Sequence, residues 1–115
     1  MTTKDLKELY SYSFWSNRKL FDVIDQFTEE EFTREIAGSY ASVRNTLIHM
    51  LSAEWGWLDR CGGHLRGPSL KGEDYASLDE VKAAFKKVES YITEFLNELQ
   101  ESDLVRLVSY DSGAP

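Results

Sequence analysis

The sequence predicts an all-α protein, a helical bundle of three long amphipathic helices in a single domain over residues 1–115. Apolar residues recur at three- and four-residue steps along three separate stretches, as they do on one face of a helix. No region is rich in the alternating pattern of strands. Because three apolar stripes can enclose a core, a chain of 115 residues is expected to fold as one unit.

The first long helix is expected over about residues 3–27. Thr28 and Glu31 then have the spacing of a capping box, which predicts a short helical turn through Phe32 and a loop that contains Gly38. The apolar positions of the long helix follow helical spacing; they are Leu6, Leu9, Tyr10, Phe14, Leu20, Phe21, Ile24 and Phe27.

The second long helix is expected over about residues 42–61. Ser42 can cap its first turn, and Gly62 and Gly63 are typical of a helix end because glycine readily adopts left-handed backbone angles. The Gly-rich stretch that follows contains Pro68. It predicts a surface loop over residues 62–77, longer than most connections in a bundle.

The third long helix is expected over about residues 78–101, where Ser77 and Glu80 form a second capping-box pair at the start. After Ser102 the chain is too short for another core helix, and residues 104–110 are expected to be extended. One apolar stripe follows the helix for six turns; its members are Leu78, Val81, Phe85, Val88, Ile92, Phe95, Leu96 and Leu99.

The first two helices carry more apolar surface than one core stripe needs. Trp15, Ile48 and Trp55 lie outside the main stripes, which indicates that each helix expects more than one neighbour. A fourth helix is therefore missing from the predicted bundle. Because large contiguous apolar patches are rare on monomers, we expect the chain to form a homodimer.

Charge and composition exclude several classes of partner. The formal net charge is -7, so the average field repels phosphate backbones and anionic lipid, and we expect neither nucleic acid nor membrane as a partner. A single cysteine, Cys61, forms no internal disulfide, and the charged start MTTKDLKEL is unlike a secretory signal. These features predict a reducing, cytoplasmic location.

His49 is the candidate metal ligand of the second helix. At 100° per residue, Leu47 and Leu51 share the apolar face of that helix, and His49 projects from nearly the opposite side. Spacing alone leaves two interpretations open: an ordinary hydrogen-bonded histidine, or one ligand of a site for zinc, nickel or iron. Small or polar residues around it leave room for a packed helix or a cavity; they are Asn45, Ser52 and Gly56.

Glu54 is the candidate catalytic residue, because with Asn17 it falls near the centre of an otherwise apolar stripe. One interpretation is structural: the two groups bond each other, or reach Arg18, Arg44 or the backbone, since unpaired buried polar groups are costly. The other is that Glu54 lines a pocket as a general base or supports a neighbouring catalytic group.

Three further features carry both an ordinary and a functional interpretation. His64, in the Gly-rich loop, is either solvated or a weak additional metal ligand that joins His49 within the chain or across a dimer. Cys61 is either a small apolar filler or a reactive thiol. An aromatic set either packs the core or lines an apolar ligand pocket; it comprises Tyr10, Tyr12, Phe14, Trp15, Trp55 and Trp57.

Two stretches, LYSYSFWSNRKLFDVI and SVRNTLIHMLSAEWGWLDRCGG, resemble the DinB-like (DinB/YfiT-like) family of metalloenzymes, which is related to bacillithiol- and mycothiol-dependent S-transferases. The resemblance is close over about residues 6–64 and loose over the remainder. Its most specific elements in the first helix are Trp15 and Asn17. In the second helix they are Ser42, Val43, His49, Glu54, Trp55, Trp57 and Leu58.

The resemblance implies a four-helix bundle of up-up-down-down connectivity that holds a divalent metal. One ligand is a histidine of the second helix, which His49 matches, and two come from an HxxxH pair in the last helix. That pair is expected to begin shortly after residue 115, since residues 65–115 contain no histidine. The implied activity is a metal-dependent hydrolase or thiol S-transferase acting on a small molecule, with an incomplete metal site in this chain. The alternative is a non-enzymatic helical interaction module that binds no metal.

Overall fold

The computed structural model describes residues 1–38, 40–62 and 70–108 and forms only helices and turns within them, which confirms the all-α prediction. The four α-helices are α1 (Thr3–Ile24), α2 (Glu29–Thr33), α3 (Val43–Cys61) and α4 (Leu78–Glu98). Two 3₁₀ turns lie at Gly72–Asp74, before α4, and at Glu101–Val105, after it.

Capping residues set the starts of the helices where the sequence predicted them. The side chains of Thr28, Ser42 and Ser77 each accept a hydrogen bond from the third backbone N–H of the helix that follows. Thr2 and Asp5 add a capping box at the start of α1. The backbone nitrogen of Thr2 lies 3.0 Å from the Asp5 carboxylate, and that of Asp5 lies 3.1 Å from the Thr2 hydroxyl oxygen. Each cap satisfies backbone donors that a helix otherwise leaves unpaired.

Two helices end earlier than predicted. α1 ends at Ile24, because the N–H groups of Gln26 and Phe27 bond carbonyls only three residues back and tighten the chain into a turn. α4 ends at Glu98 instead of residue 101. The expected extended segment is also corrected: residues 104 and 105 belong to a 3₁₀ turn, 106–108 are irregular, and 109–110 lie outside the described residues.

The core lies where α4 packs against α1 and α3, with α2 packed against α3. α4 supplies five of its buried side chains, α3 three, α1 two and α2 one, so α4 is the central helix of the described chain. The third apolar stripe of the sequence is thereby confirmed as the main core surface. The buried apolar residues are Phe21, Ile24, Phe32, Leu47, Ile48, Leu51, Val81, Phe85, Val88, Ile92 and Leu96.

α1 and α4 run in opposite directions. The hydroxyl of Thr3, at the start of α1, donates to a carboxylate oxygen of Glu101, beyond the end of α4, at 2.7 Å. At the other end of the pair, Lys82 Nζ lies 2.6 Å from Asp25 Oδ1. These two contacts fix the two helices as antiparallel.

α3 runs in the same direction as α4. Asn45 at its start lies against Gly72, just before α4, and Arg106, after α4, donates to the carbonyl of Cys61 at 2.9 Å. The observed order is therefore up-down-down for α1, α3 and α4, which corrects the up-up-down-down expectation. The physical reason is chain length: the 16 residues 62–77 are enough to span the 19 residues of α3, so α3 and α4 can run in the same direction.

Within the described ranges, no helix combines the length and the apolar character needed to cross a lipid bilayer.

Candidate functional site around His49

His49 stands on the exposed face of α3, as its angular position predicted. Leu47, Ile48 and Leu51 are buried on the core side, whereas His49 and Ala53 are exposed on the other. The helix thus presents one apolar face to the bundle and one mixed face, with the imidazole near its middle, to solvent.

Tyr40 holds the imidazole of His49. The two rings are stacked, with centroids 4.1 Å apart and planes 19° apart, and the Tyr40 hydroxyl lies 2.9 Å from Nε2 of His49. Stacking fixes the plane of the imidazole, and the hydrogen bond fixes how the ring is turned within that plane. Nε2 is engaged, while Nδ1 makes no hydrogen bond to the part of the chain that the structure describes.

A strained turn places Tyr40 over the histidine. Ala41 has φ of 68°, a left-handed angle that is uncommon for a residue other than glycine. The N–H of Ser42 bonds the carbonyl of Tyr40 at 2.9 Å, and the N–H of Ile36 bonds that of Ala41 at 2.7 Å. Such a conformation costs about 1–3 kcal/mol, so the surrounding contacts must hold it.

Sequence reasoning did not single out Tyr40. It lies in an irregular loop nine residues before His49, and no spacing rule links a loop tyrosine to a helical histidine. The close contact depends on the backbone angle of Ala41, which alanine gives no reason to expect.

The described residues do not form a complete metal site. No group of three histidine, cysteine, aspartate or glutamate side chains comes together anywhere in residues 1–38, 40–62 and 70–108. The neighbours of His49 on its face of α3 are Asn45, Ser52, Ala53 and Gly56, which offer no second imidazole or carboxylate. The weak candidate His64 lies outside the described residues. His49 alone does not fit a protein-held divalent metal, which needs about three ligands.

Glu54 lies on a different side of α3 from His49. Five residues correspond to an angle of about 140° on an ideal helix, and Glu54 points toward α1 and α4. There it lines a cavity of about 250 Å³ together with Asn17, Arg18 and Glu89. The structure therefore does not bring the two candidate residues, Glu54 and His49, into one site.

The carboxyl of Glu54 is half-buried and without a hydrogen bond or ion pair inside the described ranges. Burial, and secondly the negative charge of Glu89, raise its pKa above the ordinary value. Arg18 pairs with Glu89 instead, at 3.7 Å, and Asn17 shares the cavity without bonding Glu54. Within the described residues, Glu54 therefore makes none of the bonds of the structural interpretation, which were to Asn17, an arginine or the backbone.

The other candidate residues have separate surroundings. Cys61 is free and half-buried at the end of α3, where its carbonyl accepts the Arg106 hydrogen bond. The aromatic set divides: Tyr10, Phe14 and Trp55 pack against the core, whereas Tyr12, Trp15 and Trp57 are exposed. Of the six, only Phe14 lines the Glu54 cavity.

Comparison with known sequences identifies the family. The sequence profile of the DinB family matches residues 1–113. The chain belongs to the DinB family. It is also similar to Protein DinB of Bacillus subtilis (strain 168), with 25% identity over 63 residues. That match covers 55% of this chain and 37% of the relative, so the chain spans little more than a third of that protein.

Proposed function

We propose that this DinB-family chain is the scaffold of a divalent-metal-dependent hydrolase or thiol S-transferase that acts on a small molecule, with His49 as the ligand that it contributes. The observation that carries the proposal is the arrangement of His49 and Tyr40 on the exposed face of α3. Family membership over residues 1–113 supports it.

The chain's own residues orient the imidazole. Tyr40 stacks on the ring of His49 and engages Nε2, which limits the orientations that the ring samples before any partner arrives. A pre-oriented ligand loses less conformational freedom on binding than a mobile one. The strained backbone at Ala41 is consistent with such a role, since strain in folded proteins clusters at functional sites.

The remaining ligands must come from groups that do not surround His49 in the described chain. One imidazole does not hold zinc, nickel or iron against water, so the proposal requires His64, a carboxylate or a second chain to complete the site. The unpaired Cys61 is compatible with the reducing cytoplasm as the place of action.

Metal content tests this proposal. Untagged protein is loaded with Zn²⁺, Ni²⁺ or Fe²⁺, desalted, and assayed for metal per chain, beside His49→Ala, His64→Ala and Cys61→Ser. We expect near-stoichiometric metal that is lost in His49→Ala and kept in Cys61→Ser, which controls for thiol binding. His64→Ala identifies whether that loop supplies a ligand. Equal metal in wild type and His49→Ala, or none in either, would contradict the proposal.

A second candidate function is a non-enzymatic helical interaction module. The observation that favours it is the exposed apolar surface of α1, where Leu9, Leu20 and Val23 stand in solvent. Surfaces of this kind commonly mark sites of association with another protein. Absence of metal in the experiment above, together with self-association in solution, would favour this candidate.

A further inference from the structure

Matching faces of α1 and α4 enclose the cavity that Glu54 of α3 lines. The lining positions are 14, 17, 18 and 21 on α1 and 82, 85, 86 and 89 on α4. On each helix these positions have the spacing i, i+3, i+4 and i+7, which places them on one helical face. We call this space the Glu54 cavity. It lies where three helices meet, on a different side of α3 from His49.

Three phenylalanine side chains give the Glu54 cavity an apolar wall. Phe21 and Phe85 are buried and touch edge to face, with ring centroids 5.1 Å apart. Phe14 is half-buried and packs against the same core. The volume of the cavity, about 250 Å³, lies slightly below the usual range of ligand pockets. The wall and the volume therefore suit an apolar group smaller than a typical drug molecule.

Two polar groups of the cavity have no partner of their own. The Glu54 carboxyl is half-buried and makes no hydrogen bond or ion pair within residues 1–38, 40–62 and 70–108. The Asn17 side chain, also half-buried, makes no hydrogen bond in the same ranges. A half-buried polar group without a partner costs free energy. A ligand that brings hydrogen-bond donors into the cavity offsets that cost.

The cations that line the cavity are engaged elsewhere or lie in solvent. Arg18 pairs with Glu89 at 3.7 Å, and Lys82 pairs with Asp25 at 2.6 Å. Lys86, the third cation of the lining, is exposed. Because two of the three positive charges are already neutralised, the interior of the cavity does not present a positive field to a ligand.

The Glu54 carboxyl instead lies in a negative field. Its pKa is raised above the ordinary value first by burial and second by the negative charge of Glu89. Both effects act against a further negative charge in the cavity. A cation beside this carboxyl relieves both, because an opposite charge favours the ionised form.

We propose that the Glu54 cavity binds a small organic cation, a primary amine with an apolar body. The ammonium group pairs with the Glu54 carboxylate and donates to the amide oxygen of Asn17, and the body lies against the phenylalanine wall. An ammonium group has three N–H donors, enough for both partners. Its positive charge is also attracted to aromatic rings. This inference does not depend on metal binding at His49.

An NMR titration of isotope-labelled protein with benzylamine, without added metal, tests the site. Benzylamine is protonated at neutral pH, like a lysine side chain. We expect saturable shifts of the backbone amides over residues 14–21 and 82–89, with a Kd of about 1 mM or tighter. Isobutylamine repeats the test with an aliphatic body. Benzyl alcohol and benzoate keep the ring without the positive charge, and they are expected to bind about tenfold more weakly.

Glu54→Gln keeps the size of the side chain and removes its charge. It is expected to weaken benzylamine binding about tenfold and to leave the binding of benzyl alcohol unchanged. Glu94→Gln removes an exposed carboxylate of α4 that does not line the cavity, so it should bind benzylamine like the wild type. Melting curves of both variants show that a lost affinity does not result from unfolding.

The carboxyl carbon of Glu54 gives a direct readout of the ion pair. Saturating benzylamine is expected to lower the pKa of this carboxyl, because a neighbouring cation favours its charged form. Equal affinity of wild type and Glu54→Gln for benzylamine would overturn the proposal, as would tighter binding of benzoate than of benzylamine. Absence of shifts with both amines at high millimolar concentration, or shifts confined to residues outside the cavity, would overturn it as well.

Discussion

α4 and α1 are nearly equal in length but differ in how much of their apolar surface the bundle uses. α4 has 21 residues and buries five apolar side chains on one stripe, whereas α1 has 22 and buries two. Leu9, Leu20 and Val23 of α1 remain exposed. The described chain therefore buries the apolar stripe of α4, but it covers the apolar surface of α1 on one side only.

α3 shows the same division on a smaller scale. Leu47 and Leu51 face the core, while His49 and Ala53 face solvent. The uncovered faces of both helices are therefore the regions where a partner, a further helix or a ligand can act. The predictions below compare covered with uncovered positions, beginning with the largest expected effect.

Truncation of a core leucine and of an exposed α1 leucine should separate the covered surface from the uncovered one. Leu51 is fully buried, so Leu51→Ala is expected to lower the free energy of unfolding by about 2–5 kcal/mol. Leu20→Ala at low protein concentration should lower it by less, because 38% of that residue is already exposed. Urea denaturation at low micromolar protein measures both. Equal losses would show that the Leu20 side of α1 is covered within one chain.

Thermal stability of the wild type should depend on protein concentration. If folded chains pair through α1, a hundredfold rise in concentration is expected to raise Tm by a few degrees, because association stabilises the folded state by mass action. Leu20→Lys should melt at one temperature throughout the same range. Differential scanning calorimetry checks this, and a wild-type Tm that does not move would argue against pairing.

Glu54→Gln should raise Tm at neutral pH. The rise should be smaller than the one that a hundredfold increase in protein concentration gives the wild type. The folded-state pKa of Glu54 lies above the ordinary value near 4.5, so the folded chain binds this proton more tightly than the unfolded chain. Its contribution to stability is thus present below that ordinary pKa and is lost as pH rises through the folded pKa. The gain from glutamine should therefore vanish toward pH 4. Melting curves from pH 4 to 7, with exposed Glu94→Gln as the control, measure it.

Ala41→Gly should give the smallest change. Glycine adopts the left-handed angle of this turn without the steric penalty of a Cβ atom. Because relief of that penalty outweighs the extra entropy of glycine in the unfolded chain, we expect the free energy of unfolding to rise by up to about 1 kcal/mol. Ala37→Gly in the same loop is the control. A loss of stability on Ala41→Gly would indicate that the turn is relaxed in solution.

Much of the fold could be predicted because local chemistry decides it. Ser42, Ser77 and Thr28 mark helix starts through their own hydrogen bonds, and the stripe of α4 is buried because every turn repeats it. The direction of α3 relative to α4 was not predictable from these signals, since a connection as long as residues 62–77 allows either direction. Helix spacing also cannot tell which of two apolar stripes on α1 a neighbour will occupy.

The candidate site was predictable only in part. The position of His49 away from the core follows from helical geometry, but its contact with Tyr40 depends on the unusual angle at Ala41. Glu54 was recognised as a polar residue in an apolar stripe. That it has no partner among the described residues could not be foreseen, because Arg18 pairs with Glu89 from α4, which is distant in sequence.

Side-chain footprinting with hydroxyl radicals, as a function of protein concentration, tests most directly whether the uncovered face of α1 binds a second copy. We expect Leu9 and Leu20 to be oxidised at sub-micromolar concentration and protected at hundreds of micromolar, while buried Leu51 and Val88 stay unreactive throughout. Oxidation of Leu9 and Leu20 that is equal at every concentration, or their protection already in the most dilute sample, would contradict the binding of a second copy to this face.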